Sequence, residues 1–281
     1  MICENIDLYD YFKIERNGAV GGYLKTYARD KSPEMPSRVR PAMLVLPGGG
    51  YRIVSAREGE PVALRYVNEG FSSFVLTYSV NTPYPVPLNE AVMASAYIRK
   101  NAEKYGVDPR RVCVAGFSAG GHLAGLLATV KDEEAGFLSK TAAEVRPDAA
   151  VLSYAVVTMD LVTHSGSRDV ITGGDKKLYE KLSVEKRVDK SSAPAFIWHA
   201  VCDDCVLVEN AVMLAQAYRK AGVHFSLHVF DWGCHGISLS NDEVCTYPKG
   251  EVYLYELGKW VDLSLSWLRS HGLALTQINL Q

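Results

Sequence analysis

The chain has 281 residues, 48% hydrophobic and 22% charged, and its 30 Lys and Arg nearly balance 32 Asp and Glu for a net charge of −2. That balance excludes the basic footprint of a nucleic-acid binder, and the composition excludes a disordered or collagenous chain. No window approaches the roughly 18 consecutive apolar residues of a membrane span, and the polar start Met1-Ile2-Cys3-Glu4 carries no secretory signal, so a cytoplasmic protein is expected.

A chain of this length can bury a large core in one domain, and one domain over residues 1–281 is expected. Residues 30–41, charged and rich in proline, read as a surface loop between an early strand pair and the main fold. Ala42–Leu46 is an apolar run stopped by Pro47-Gly48-Gly49-Gly50, which predicts a buried strand. A helix over 61–69 and a strand over 71–78 follow. Spacings of three and four among Ala91, Ala94, Ile98, Ala102 and Tyr105 predict a helix over 89–105. Strands are expected at 111–117, 149–153, 195–201 and 225–230, with helices at 120–130, 209–221 and 253–271. Strands alternating with helices predict an α/β fold, a doubly wound and mainly parallel sheet with helices on both faces. Residues 155–190 are charged and weakly periodic, and they break the alternation as a small cap or lid insertion.

The segment Gly116-Phe117-Ser118-Ala119-Gly120-Gly121 lies between a strand and a helix. G-x-S-x-G in that setting is a nucleophile elbow, a strained turn with small flanking residues that lifts the serine hydroxyl above the carboxyl edge of the sheet. The structural alternative is a glycine-rich turn with a capping serine. A serine nucleophile needs a base. Of seven histidines, His122 stands one helical turn past Ser118 and reads as structural, and His199, His224 and His228 in or beside strands read as packing residues. His271 suits a helix C-terminus, and His164 in the insertion is a candidate substrate contact. His235, in the loop Asp231-Trp232-Gly233-Cys234-His235-Gly236 after the last strand, is the expected base.

Chain order Ser…Asp…His places the orienting acid after a strand between 118 and 235. Asp203 and Asp204 both qualify, Asp160 and Asp175 less well, and position alone does not separate the first two. The glycines after Pro47 suit an oxyanion hole, with the amides of Gly49, Gly50 and Ala119 as donors. Tyr51 and Tyr154, together with His164, are candidate walls of the substrate pocket. The pair Cys202 and Cys205 has CxxC spacing, but Cys234 and His235 are adjacent rather than spaced as a second zinc pair, so no metal site is expected. This chemistry calls for no cofactor.

The stretches 47–80, 106–125, 199–210 and 230–239 resemble α/β-hydrolases of the esterase/lipase class, and more narrowly the bacterial acetylesterase and acetylxylan-esterase-like (BD-FAE) group. The resemblance implies Ser118 as nucleophile, His235 as base and, from an H-x-x-x-D segment, Asp203 as acid. Pro47 stands where related lipases carry histidine in HGGG, and Leu207 replaces the usual proline of D-x-x-V-P. Arg57, Glu58 and Glu60 match the group's R-E-G-E stretch, either as substrate contacts or, the favoured reading, as charges at the start of a helix. The implied activity is a serine carboxylesterase for short acyl, above all acetyl, esters. Its partner would be a small-molecule ester such as an acetylated xylo-oligosaccharide, with no nucleic acid or membrane and with a homo-oligomer compatible. A peptidase or amidase on the same triad is the alternative. A non-catalytic receptor on this scaffold would have lost a triad member, and all three stand here.

Overall fold

A computed structural model describes residues 1–35, 38–160, 162–244 and 253–275. Pro36 and Ser37 of the expected loop, Leu161 of the insertion and Cys245 lie outside the described residues. Among the described residues, eight strands form one sheet: β1 (Asn5–Asp7), β2 (Tyr23–Tyr27), β3 (Arg40–Leu46), β4 (Ser72–Thr77), β5 (Val107–Phe117), β6 (Ala149–Ser153), β7 (Ala195–Ala200) and β8 (Phe225–Phe230). Their spatial order is β1-β2-β4-β3-β5-β6-β7-β8. From β4 through β8 every pairing is parallel, while β1 and β2 add an antiparallel edge.

The central strands are largely apolar over their carboxyl halves because both faces are covered there. On one face Leu44, Leu46, Phe74, Val114, Leu152 and Ile197 pack with helices 86–100, 118–128 and 209–221. On the other, Met43, Val45, Ala115, Phe117, Val151 and Trp198 meet helices 60–68 and 260–270. Alternate residues of one strand thus divide between two cores, as the two-residue period of a strand requires.

Several boundaries differ from the sequence pattern. The helix expected at 89–105 runs from Val86 to Lys100, since Pro87 is tolerated in its first turn. Strand β5 begins at Val107, four residues early, with a register shift against β3 between Arg40 and Ala42. The closing helix divides into Tyr253–Gly258 and Trp260–Ser270. The insertion holds short helices at Ser165–Thr172, Leu178–Leu182 and Val184–Arg187, the last packed against helices 118–128 and 209–221. Among the described residues no helix is long and apolar enough to cross a membrane.

Candidate active site

Four loops at the carboxyl ends of parallel strands converge: 47–51 after β3, the turn at Ser118 after β5, 201–206 after β7 and 231–238 after β8. Phe117 ends β5 in extended conformation, and Ser118 takes φ +53° as the first residue of helix 118–128. A side chain avoids that region unless its surroundings hold it there. The flanking glycines explain the hold. A Cβ on Gly116 would lie 2.3 Å from the Gly120 carbonyl oxygen, and one on Gly120 would lie 2.2 Å from the Leu46 and Pro47 carbonyl oxygens. The elbow and the β3 loop therefore pass at backbone contact distance, which only glycine permits.

Ser118 is brought together with His235 and Asp203. Ser118 Oγ lies 2.7 Å from His235 Nε2, and His235 Nδ1 lies 2.7 Å from Asp203 Oδ2. Asp203 is 3% exposed, and its other oxygen accepts the Cys205 and Val206 amides at 3.0 and 2.9 Å. A buried acceptor facing Nδ1 requires the proton there, which leaves Nε2 to accept from the Ser118 hydroxyl. Asp204, Asp160 and Asp175 are exposed and have no bond to His235. Asp203 and Asp204, alike in sequence position, are told apart because Cys205 and Val206 turn their amides onto the first of them.

Pro47–Gly50 is held from below. Tyr78 donates its hydroxyl to the Pro47 carbonyl at 2.7 Å, and the Gly48 amide donates to Glu58 Oε2 at 2.8 Å. Gly49 and Gly50 then take φ of +122° and +64°. Among the described residues no protein acceptor takes up the amides of Gly49, Gly50 or Ala119. They are the donors left over where the β3 loop meets the elbow.

Glu58 is the residue whose place the sequence pattern missed. It caps no helix. Its side chain is buried, and its second oxygen accepts the Tyr154 hydroxyl at 2.7 Å. The Tyr154 hydroxyl in turn accepts the Ser238 amide at 3.0 Å. Burial, with the Glu58 charge beside it, pushes the Tyr154 phenol well above its ordinary range, so it stays a proton donor. Tyr154 therefore does not line the groove as expected. It lies 1% exposed beneath His235, ring centroids 5.1 Å apart in an edge-on contact. Tyr51 is likewise corrected: it is fully buried, and its hydroxyl bonds to His122 Nδ1 at 2.7 Å. Both tyrosines have positive φ, +59° and +34°, which turns their rings down into the cores.

Above the triad-like cluster lies a groove of about 180 Å³, bordered by Gly49, Gly50, Ser118, His164, Cys205 and His235, with Ile53 and Arg57 on its walls. His164 does reach it. His164 also caps helix 165–172, its Nδ1 accepting the Ser167 amide at 3.1 Å. Burial, with the His235 charge adding to it, pushes the His164 imidazole down. A larger cavity of about 560 Å³ opens at the other end of the sheet beside Arg40 and Gly106, and none of the residues above lines it. The remaining histidines serve packing or the surface: His199 is buried in β7, His228 stacks on Phe196 at 4.7 Å, and His224 is exposed. Among the described residues no group of three or more His, Cys, Asp or Glu could hold a metal ion.

The chain is 37% identical over 228 residues to endo-1,4-β-xylanase B of Butyrivibrio fibrisolvens, covering 77% of this chain and 35% of the xylanase. It is 28% identical over 238 residues to acetylxylan esterase of Xylanibacter ruminicola, covering 82% and 46%. The chain thus spans less than half the length of these curated relatives. Among solved structures, the acetyl ester-xyloside bifunctional hydrolase from Caldicellulosiruptor lactoaceticus superposes with a TM-score of 0.83 at 34% identity, over 97% of both chains. A carboxylesterase from Lactobacillus plantarum gives 0.84 at 29%, over 99% of this chain and 100% of that one. Residues 31–218 match the BD-FAE family model, from the loop before β3 into helix 209–221. An α/β-hydrolase sheet whose β3 loop, elbow and β7 strand fall inside that match makes this chain a member of the BD-FAE family.

Proposed function

We propose that this chain is a serine carboxylic-ester hydrolase in which Ser118 is the nucleophile, His235 the general base and Asp203 the acid that orients it. The observation that carries the reading is the unbroken hydrogen-bonded path from Ser118 Oγ through His235 to the buried carboxylate of Asp203, 2.7 Å at each step. Ser118 Oγ attacks the ester carbonyl as its proton passes to His235 Nε2. Asp203 Oδ2 faces the opposite nitrogen and stabilises the imidazolium as it forms. Negative charge gathers on the carbonyl oxygen, where the amides of Ala119 and of Gly49 or Gly50 receive it. The tetrahedral species collapses as Nε2–H delivers its proton to the leaving alcohol, and water deacylates Ser118 by the reverse path.

A groove of about 180 Å³ suits a short acyl chain rather than a fatty one. Acetyl esters of sugars are the natural substrates we infer, supported by relatives named as acetylxylan esterase and as acetyl ester-xyloside hydrolase. His164 supports this too: with Nδ1 engaged as an acceptor, its neutral ring carries its proton on Nε2, a donor suited to a hydroxyl-rich alcohol.

The test is hydrolysis of 4-nitrophenyl acetate and of acetylated xylo-oligosaccharides by wild type and Ser118→Ala. Wild type should turn over both, and the variant should lose about 10⁴-fold or more in kcat. Equal rates in the two proteins would refute the assignment, and preference for 4-nitroacetanilide over the acetate would favour an amidase instead.

A further inference from the structure

Arg57 stands on the wall of the groove that holds Ser118 and His235. Its backbone is fixed, the carbonyl accepting the Ser238 hydroxyl at 2.6 Å. Its guanidinium is not. Among the described residues no carboxylate or carbonyl takes it up, although a half-buried arginine normally finds one. The two carboxylates nearby are already committed: Glu58 to the Gly48 amide and the Tyr154 hydroxyl, Asp203 to His235 and two amides. The guanidinium instead reaches over the loop that carries the base, where a Cβ on Gly236 would lie 3.3 Å from Arg57 Nη2. Arg52, exposed, adds a second positive charge that acts on His164. The wall of the groove at Arg57 is thus cationic.

Side matters here. His235 Nε2 must hand its proton to the leaving alcohol, so that alcohol lies beside the 235–236 loop, on the Arg57 side. We infer that Arg57 binds a carboxylate carried by the alcohol portion of the ester, so that the preferred substrates are acyl esters of acidic alcohols such as a uronic-acid-bearing sugar. A planar fork of donors beside the leaving group is the arrangement that receives a carboxylate in two parallel bonds. The inference rests on the esterase reading of the same site.

The experiment uses two acetyl esters of one skeleton, 3-acetoxybenzoate and its uncharged methyl ester, with wild type, Arg57→Gln, Arg57→Lys and Ser118→Ala. The quantity read is the ratio of kcat/KM on the anionic ester to that on the neutral one, in which the intrinsic reactivity of each ester cancels between proteins. Arg57→Gln should lower that ratio by about tenfold, the scale of one lost charge-assisted contact, and Arg57→Lys should restore part of it. An equal loss on both esters, or an unchanged ratio, overturns the role of Arg57 while leaving the esterase standing. Absence of Ser118-dependent turnover of the neutral ester overturns the esterase reading itself.

Discussion

Glu58 and Tyr154, 96 residues apart in the chain, share a hydrogen bond of 2.7 Å beneath the groove. Through it the β3 loop, the β6 loop and the loop that carries His235 become one unit: Gly48 on one oxygen of Glu58, Tyr154 on the other, Ser238 on the far side of the phenol. Glu58→Gln keeps the volume but exchanges one acceptor for a donor, so the Gly48 amide and the Tyr154 hydroxyl can no longer both be satisfied. An unsatisfied buried group costs about 1–3 kcal/mol, and here the cost appears as misplacement of the loop carrying Gly49 and Gly50. On 4-nitrophenyl acetate kcat should fall by about 10- to 100-fold with KM little changed. A kcat within twofold of wild type would show that Glu58 does not position the loop.

The two adjacent acids separate cleanly by substitution. Asp203→Asn should lose about 10⁴-fold in kcat, because the amide would present a donor to Nδ1 and select the wrong tautomer. Asp204 is exposed, and Asp204→Asn should stay within a few-fold of wild type. Steady-state kinetics on the two variants checks both, and a large loss in the second would move the acid to Asp204.

His122 makes stability depend on pH. Burial pushes its imidazole down to about 4 from an ordinary 6.5, its Nε2–H donating to the Leu182 carbonyl and its Nδ1 accepting from Tyr51. The unfolded chain then takes up a proton near pH 6.5 that the folded chain refuses until about pH 4. The unfolded state binds more protons in that window, so the contribution is whole above it and is lost as pH falls through it, by about 3 kcal/mol. Urea unfolding at pH 7 and pH 4.5 should show a smaller drop in His122→Gln than in wild type. Equal drops would remove His122 as the source.

A buried ion pair ties the insertion to the body of the fold. Arg187 donates to both oxygens of Glu134, at 3.0 and 2.5 Å, with side chains 6% and 3% exposed. Removing one partner strands the other, so Glu134→Gln should destabilise the protein by about 3–5 kcal/mol, whereas Glu134→Leu with Arg187→Met should cost much less. Chemical denaturation of the two variants measures this, and a single-variant loss below about 1 kcal/mol would contradict it.

What could be read from the chain was whatever depends on neighbours in sequence. The elbow at Ser118 announces itself because its glycines, its strand and its helix are contiguous, and His235 because its loop follows the last strand. Asp203 and Asp204 were inseparable on spacing alone, since the choice lies in which carboxylate the 205–206 amides turn toward. Glu58 was misplaced for a related reason. An acid beside a helix start satisfies a local rule, and only the approach of the β3 and β6 loops discloses its two actual partners. Tyr51 and Tyr154 failed likewise: an aromatic residue at a strand end can point up to substrate or down to the core, and a positive φ decides which.

The order of the sheet carries one more consequence. Ser118 follows β5 and Asp203 follows β7, with β6 wedged between, while His235 arrives only after β8. No fragment ending before the last strand can assemble the three, and no partly docked sheet can hold them in register. With the function proposed above, ester turnover is a readout of complete assembly: during refolding it should return only after the signal of the sheet itself, as the final event rather than an early one.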